Sequence, residues 1–182
     1  MNARVSLVSA TDTPDASRAL LDAVHGAFGA TPNMFRAVAN SPAALQAMWG
    51  FFGALGGGSL PAKLAEQIAV AVADRNGCEY CLAAHTMLGR KAGASAAEMS
   101  AAQAGESADP ATAAVLGFAL KLVAQRGQVG DADVAALRAA GFGDGQIVEI
   151  LAHVALNLFT NYVNVAFAVP VDFPAVNLRS AA

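Results

Sequence analysis

The positions of proline and glycine restrict the fold of this chain more than any other feature of its sequence. Proline is tolerated at the first position of a helix, where its missing N–H costs nothing. It recurs at positions suited to helix starts, in the dipeptides Thr31-Pro32, Ser41-Pro42, Leu60-Pro61 and Asp109-Pro110. Gly29, Gly93 and Gly141 lie at positions suited to helix ends. Together these signals predict an almost entirely helical chain.

The apolar periodicity between these signals predicts a series of nine helices. Their expected ranges are 15–28, 33–39, 42–55, 61–75, 78–92, 95–103, 110–126, 131–140 and 144–168. No segment alternates apolar and polar residues with the period of two that a half-buried strand requires, and no Asn-Gly turn joins two strand-like runs. With 182 residues and no evident linker, the chain is expected to form one all-α domain over residues 1–182.

Composition bears on the partners and the compartment of the protein. Apolar residues make up 55% of the sequence and charged residues 14%, which favours a homo-oligomer. The net charge of −3, without any cluster of basic residues, argues against nucleic-acid binding. Residues 1–13 lack the basic start and the apolar core of a secretory signal. We therefore expect a reducing, cytoplasmic location, where closely spaced cysteines are more often redox-active or metal-binding than structural.

The segment 147–169 is apolar and long enough to span a bilayer, but it carries a polar seam. On a helix the members of the seam fall within about 120° of arc, and they are Glu149, His153, Asn157, Thr160, Asn161 and Asn164. So many polar groups would be costly at bilayer depth, which predicts a buried helix without membrane contact. We favour a contact between subunits for this seam over a pocket wall in which His153 and Asn157 support a functional carboxylate.

The only two cysteines of the sequence lie three residues apart. They belong to the string Asn76-Gly77-Cys78-Glu79-Tyr80-Cys81-Leu82-Ala83-Ala84-His85. Since a helix advances about 100° per residue, Cys78, Cys81 and His85 fall within roughly 60° on one face. Two thiols and an imidazole therefore share one patch, which is the composition of a redox or a metal centre.

The surroundings of this patch favour a thiolate. Asn76-Gly77 predicts a helix stop and restart, which places Cys78 at a helix N-terminus, where exposed N–H groups favour an anion. His85 follows Cys81 by one turn and could accept its proton or pair with its thiolate. The helix N-terminus thus favours Cys78 as the reactive sulfur, whereas the histidine favours Cys81.

Glu66 is the acidic residue that the sequence ties to the patch. It shares a helix face with the apolar residues Ala62, Ala69, Val70 and Ala73. An inward-facing carboxylate needs a partner or a raised pKa. If the helices over 61–75 and 78–92 pack as a hairpin, Glu66 meets His85 directly or through a water. The result would be a proton relay from carboxylate to imidazole to thiol.

Two other interpretations of the cysteine pair stay open. A zinc ion could use the two thiols and His85, but a structural zinc usually takes a second pair of ligands from another segment. The remaining histidines, His25 and His153, are isolated in the sequence, so we expect no metal. The pair could also be two unreactive core cysteines, because cysteine is readily buried.

Glu66, eleven intervening residues and then Cys78-x-x-Cys81-x-x-x-His85 resemble the core motif of the alkylhydroperoxidase D-like proteins of the carboxymuconolactone decarboxylase superfamily. The resemblance is most specific over about residues 60–95, and the segment 31–35 is similar to the peroxidase-related branch. It implies an all-α fold with a catalytic helix hairpin, assembled as a dimer, trimer or hexamer. Alkylhydroperoxidase D itself has a histidine directly before its second cysteine, whereas this chain has Tyr80, so one imidazole of that site is missing.

The resemblance implies a thiol-dependent peroxidase or disulfide oxidoreductase without a bound cofactor, in which Glu66, Cys78, Cys81 and His85 are catalytic. Tyr80, His153 and Asn157 are expected to support these four residues. Cys81 would attack a hydroperoxide and become a sulfenic acid, Cys78 would close a disulfide, and an external dithiol or lipoyl reductant would reset the pair. A cofactor-free lyase of the decarboxylase kind and a non-enzymatic, redox-sensing oligomer are the alternatives.

Overall fold

The structure, a computed structural model, describes residues 3–9 and 11–179, and these residues form nine helices without a strand. The helices are α1 (Asp15–Phe28), α2 (Asn33–Val38), α3 (Pro42–Gly56), α4 (Ala62–Arg75), α5 (Glu79–Lys91), α6 (Ala96–Gln103), α7 (Pro110–Ala124), α8 (Asp131–Ala139) and α9 (Asp144–Ala166). The predicted all-α fold is confirmed. Each helix begins and ends within two residues of its expected bounds.

The helix starts follow the capping signals of the sequence, with one difference. Ser41 and Asp109 cap α3 and α7 through their side chains, and a proline occupies the first turn behind each of them. Before α2 and α4, by contrast, Pro32 and Pro61 are themselves the cap residues, with ψ of 148° and 136°. An extended cap accepts proline as readily as the first turn does, so these two helices begin one residue after it.

Helix α4 lies at the centre of the fold. It packs against α5, α6, α7 and α9, and every residue from Gln67 to Ala73 is buried. A helix that is buried on all sides has no polar face, which explains the run of alanine and valine along α4. The second arm of the hairpin, α5, lies beside α4, and α9 packs against both helices. The start of α5, which carries the cysteines, is therefore enclosed by the long final helix.

Two segments without helical structure close the fold around α2 and the end of α9. The backbone N–H of Arg4 donates to the carbonyl of Phe167, 2.8 Å away. After α9, the carboxylate of Asp172 accepts a hydrogen bond of 2.8 Å from the backbone N–H of Asn33. The chain that follows α9 is thereby held against the first turn of α2.

Gly89 allows α4 and α5 to approach closely. A Cβ atom at this position would lie 3.3 Å from Cβ of Glu66 and would overlap the thioether end of Met99 on α6. Contacts of this kind are tighter than side chains normally make. Gly89 lies one turn beyond His85. The absence of a side chain there allows α4 and α5 to pack closely at the level of Glu66.

Replacing Gly89 by valine is expected to lower the free energy of unfolding by about 1–3 kcal/mol, because an overpacked helix contact must separate. The matched control is Gly117→Val on α7, where an added Cβ meets no atom within 4 Å. Both variants gain the same helix propensity, so their difference in urea denaturation isolates the packing cost. Equal stability of the two variants would contradict the importance of the close approach.

None of the helices in the described residues combines the length and the apolar character needed to cross a membrane. The N-terminal segment 1–13, in which we expected no signal sequence, is covered only in part. Met1, Asn2 and Ala10 of that segment lie outside the described residues.

Candidate active site

The site begins at the turn between the two arms of the hairpin. Helix α4 ends with Asn76 as its cap residue, and Gly77 follows with φ of +65°, a left-handed conformation that glycine adopts without a Cβ clash. The chain then restarts with Cys78 as the cap residue of α5. Its Sγ accepts a hydrogen bond of 3.3 Å from the backbone N–H of Cys81. The predicted position of Cys78 at a helix N-terminus is confirmed.

The two cysteines are free thiols, and both are buried. Their mutual hydrogen bond raises the pKa of Cys78 far above its ordinary value, and burial raises it further. Burial also raises the pKa of Cys81, but the hydrogen bond from Cys78, the charge of His85 and two nearby amides outweigh burial and hold that pKa at about 6. The helix N-terminus by itself favours a thiolate at Cys78, but the hydrogen bond between the two sulfurs raises the pKa of Cys78 and lowers that of Cys81. The pair therefore favours the negative charge on the Cys81 sulfur.

His85 and Glu66 form the second part of the site. Nδ1 of His85 lies 2.7 Å from Oε2 of Glu66, so the expected direct contact between the two helices is present. Burial lowers the pKa of His85, but the charge and the hydrogen bond of Glu66 outweigh it and leave that pKa raised. Since Nδ1 is engaged by the carboxylate, Nε2 is the ring nitrogen that can exchange a proton with a sulfur.

Asn164 on α9 is a further contact of the reactive sulfur. Its Nδ2 donates to Sγ of Cys81 at 3.1 Å and to Sδ of Met34 at 3.3 Å. A donor of this kind stabilises a thiolate more than a thiol and so lowers the pKa of Cys81. The sequence placed Asn164 in the polar seam but gave no signal that linked it to a cysteine, because the contact joins residues 83 positions apart.

The polar seam of α9 faces the interior of the fold. His153, Asn157 and Asn161 are 8%, 4% and 0% exposed. At the start of the seam, Glu149 accepts hydrogen bonds of 3.0 Å from two backbone N–H groups just before α4. The favoured interpretation of the seam as a contact between subunits is therefore wrong, because buried side chains offer no surface to a partner.

A cavity of about 200 Å³ adjoins the Glu66–His85 pair. His153 and Asn157 line it together with the apolar side chains of Phe52, Leu55, Leu60 and Leu156. Burial lowers the pKa of His153, so its ring is neutral at physiological pH. Nδ2 of Asn157 donates to the backbone carbonyl of His153 at 2.9 Å. The two residues thus lie beside the predicted relay, and their supporting role stays a prediction.

A second cavity, of about 330 Å³, reaches the cysteine pair. Cys78 and Asn164 line it, and Val165 and the segment 168–171 form an apolar wall. It shares no lining residue with the cavity beside Glu66. The thiols and the carboxylate–imidazole pair therefore adjoin two separate cavities.

Tyr80, which stands where alkylhydroperoxidase D has a histidine, is part of the wall of the second cavity. Its hydroxyl accepts a hydrogen bond of 3.2 Å from the backbone N–H of Met34, and its ring meets that of Phe173 edge-on at 5.4 Å. Burial raises the pKa of Tyr80, so the phenol stays protonated. Tyr80 therefore ties α5 to α2 and to the chain after α9.

The same side chains offer little to a metal ion. In the part of the chain that the structure describes, no three His, Cys, Asp or Glu side chains are grouped so as to hold one. The imidazole nearest the thiols, that of His85, is bonded to Glu66. The geometry suits proton exchange and sulfur chemistry.

A helix hairpin with a dithiol at the turn and a carboxylate–imidazole pair between its arms defines an all-α protein with a thiol site. The model of the carboxymuconolactone decarboxylase family matches residues 42–125, which include all four residues of the motif. A structure described as an alkylhydroperoxidase AhpD core, an uncharacterized peroxidase-related protein from Ralstonia eutropha JMP134, is 27% identical with a TM-score of 0.85. That match covers 93% of this chain and 92% of the other. An uncharacterized peroxidase-related protein from Silicibacter sp. TM1040 is 26% identical with a TM-score of 0.81, over 92% and 91% of the two chains.

The family model over residues 42–125 and these two structures confirm the resemblance that the cysteine motif indicated, to the alkylhydroperoxidase D-like proteins of the carboxymuconolactone decarboxylase superfamily. The debrominase Bmp8 shares the fold, at 21% identity and a TM-score of 0.79 over 94% of each chain. No curated protein matches the sequence significantly. The family model and the two peroxidase-related structures indicate an enzyme.

Proposed function

We propose that the protein is a thiol-dependent peroxidase and disulfide oxidoreductase that reduces hydroperoxides through Cys78 and Cys81. The observation that carries this proposal is the unequal state of the two sulfurs. Cys81 has a pKa of about 6, because it receives a hydrogen bond from Cys78 and faces the charge of His85. A thiolate next to a protonated thiol is the arrangement that attacks a peroxide and then closes a disulfide.

In the first step, the Cys81 thiolate attacks the distal oxygen of the hydroperoxide. An S–O bond forms as the O–O bond breaks, so the sulfur is oxidised to a sulfenic acid and the peroxide is reduced to an alkoxide. The alkoxide takes a proton from the His85 imidazolium. Glu66 stabilises this protonated ring through its hydrogen bond of 2.7 Å to Nδ1. The products of this step are an alcohol and the Cys81 sulfenic acid.

In the second step, the sulfur of Cys78 attacks the sulfur of the Cys81 sulfenic acid. A disulfide forms, and the departing hydroxide leaves as water with the Cys78 proton. An external dithiol, of which a lipoyl group is one kind, then attacks the disulfide and returns both cysteines to thiols by exchange. Cys78 lines the cavity of about 330 Å³, so it is the sulfur that such a reductant meets.

Each of the two cavities serves a different part of this mechanism. Peroxide and reductant reach the sulfurs from the cavity lined by Cys78 and Asn164. Protons enter and leave through the Glu66–His85 pair, which adjoins the other cavity. Such a separation keeps the proton donor in place while the sulfur side is occupied by substrate.

The protein is also proposed to act as a homo-oligomer. The outer face of α9 exposes a row of large apolar side chains: Val148, Leu151, Phe159, Tyr162 and Val165. An apolar row of this extent on one helix is typical of a surface that a second subunit covers. Val165 also lines the cavity at the cysteine pair, so a subunit that covers this row would border the entrance to the thiol site.

The proposed function is tested by peroxide consumption with dithiothreitol or dihydrolipoamide as the reductant. We expect steady turnover by the reduced protein, loss of turnover after iodoacetamide treatment, and one Cys78–Cys81 disulfide after one equivalent of peroxide. As a matched control, protein first oxidised by peroxide should resist iodoacetamide and recover full turnover on reduction. Turnover that survives alkylation of the thiols would favour the lyase, and a disulfide without turnover would favour the redox sensor.

A further inference from the structure

Two amide atoms near the Cys81 sulfur have no hydrogen bond. Within residues 3–9 and 11–179, neither Nδ2 of Asn161 nor Oδ1 of Asn164 has a partner. Both side chains are buried, with 0% and 4% of their surface exposed. A buried polar group without a partner destabilises the folded state. Two such atoms near one another therefore indicate a place where a further group can accept and donate hydrogen bonds.

The other end of each amide is bonded, which fixes its orientation. Oδ1 of Asn161 accepts a hydrogen bond of 2.8 Å from Nδ2 of Asn76. Nδ2 of Asn164 donates to the sulfurs of Cys81 and Met34. The two residues are three positions apart on α9 and so share one face of the helix. Nδ2 of Asn161 faces the Cys81 sulfur and helps to lower its pKa, but no hydrogen bond of ordinary geometry joins the two in this structure. One hydrogen-bond donor, Nδ2 of Asn161, and one acceptor, Oδ1 of Asn164, are therefore available beside the Cys81 sulfur.

Any oxygen that is transferred to Cys81 must fit among these groups. Cys81 is only 2% exposed, so an oxygen bonded to its sulfur is enclosed by the side chains that surround it. A hydroperoxy group, like the sulfenic acid that replaces it, carries one O–H donor and oxygen lone pairs. The unpartnered amide atoms supply the complementary acceptor and donor.

We propose that Asn161 and Asn164 position the hydroperoxy group at Cys81, an inference that rests on the peroxidase function proposed above. Nδ2 of Asn161 donates to the distal oxygen of the peroxide, and Oδ1 of Asn164 accepts from the O–H of that oxygen. The distal oxygen keeps its hydrogen as the S–O bond forms and the O–O bond breaks. The same two amide contacts then hold the sulfenic acid oxygen until Cys78 attacks the sulfur.

The cavity at the cysteine pair gives this arrangement an entrance. Asn164 lines that cavity together with Cys78, whereas Asn161 lies one turn deeper along α9. A hydroperoxide therefore enters with its hydroperoxy end toward Asn164. Its organic group stays against the apolar wall formed by Val165 and the segment 168–171.

The test compares two reactions of the same sulfur in Asn161→Leu and in the wild-type protein. Both reactions are followed at pH 8.5, well above the wild-type Cys81 pKa of about 6, so the wild-type sulfur is a thiolate. A change in the pKa of Cys81 in the variant would alter alkylation as well as oxidation. Iodoacetamide alkylation reports the nucleophilicity and access of the sulfur, and oxidation by tert-butyl hydroperoxide also requires positioning. Site-resolved mass spectrometry follows both reactions at Cys81. We expect Asn161→Leu to slow oxidation about tenfold to hundredfold and to change alkylation less than threefold.

Two further variants keep the test decisive. Asn161→Ala removes the amide without adding apolar bulk, and it should give the same selective loss if the leucine variant does not fold. Thr160→Val removes a neighbouring buried hydroxyl of α9, which donates only to a backbone carbonyl, and it should leave both rates unchanged. Parallel loss of both reactions, or oxidation at the wild-type rate in Asn161→Ala, would overturn the positioning role. A wild-type Cys81 that is alkylated rapidly but ignores the peroxide would instead overturn the peroxidase function itself.

Discussion

Replacing Cys81 by serine should abolish peroxide turnover, with a fall of at least about a thousandfold, to the rate of the uncatalysed reaction with the reductant. The serine hydroxyl stays protonated at neutral pH, and it cannot use the environment that holds the pKa of Cys81 at about 6. The remaining Cys78 has a raised pKa, so it does not substitute as the nucleophile. The measurement is steady-state consumption of tert-butyl hydroperoxide with dithiothreitol.

The matched variant Cys78→Ser should behave differently, because it keeps the attacking sulfur and loses the resolving one. One equivalent of peroxide is expected to leave a sulfenic acid on Cys81, which dimedone traps and mass spectrometry locates. Multiple turnover then depends on direct reduction by dithiothreitol and should be slower than in the wild type. A dimedone adduct on Cys78 in the Cys81→Ser protein, with none on Cys81 in the reverse variant, would assign the attacking role to the other sulfur.

The second large effect is expected for His85→Gln. Removal of the imidazole takes away the charge that favours the Cys81 thiolate and the proton that the leaving alkoxide needs. General acid–base catalysis of this kind contributes about 10²–10⁴-fold, so kcat/KM at pH 7 should fall by that amount. Glu66→Gln should act in the same direction but less strongly, since it lowers the pKa of His85 and leaves the ring in place.

The pH dependence of alkylation tests one role of His85, the stabilisation of the Cys81 thiolate, separately from its role as proton donor to the alkoxide. In the wild type, Cys81 is protonated below pH 6 and a thiolate above it, so alkylation by iodoacetamide should rise through pH 6 and level off near neutrality. In His85→Gln the rise should move to higher pH. The control is His25→Gln, because this exposed histidine of α1 is hydrogen-bonded to Thr31 and lines neither cavity of the site, so its replacement should leave the alkylation profile unchanged. An unchanged alkylation profile in His85→Gln would contradict the pairing of imidazole and thiolate.

Local signals in the sequence were sufficient for the fold and for half of the site. Helix bounds depend on neighbouring residues, through caps, prolines and a period of 3.6, and these act within a few positions. For the same reason the spacing of Cys78, Cys81 and His85 placed them on one helix face. The contact of Glu66 with His85 followed from one more assumption, that consecutive helices pack as a hairpin, and the 2.7 Å distance agrees with it.

The rest was decided by the tertiary structure. Which sulfur keeps the proton depends on groups that meet at Cys81 from different helices, and Asn164 arrives there from 83 residues away. The sequence favoured a contact between subunits for the polar seam of α9, because periodicity shows that residues share a face but not what that face meets. Only the packing of α9 on α4 and α5 turned those amides toward the sulfurs. Electrostatic effects on a thiol act through space at a few ångströms, and no spacing along the chain encodes them.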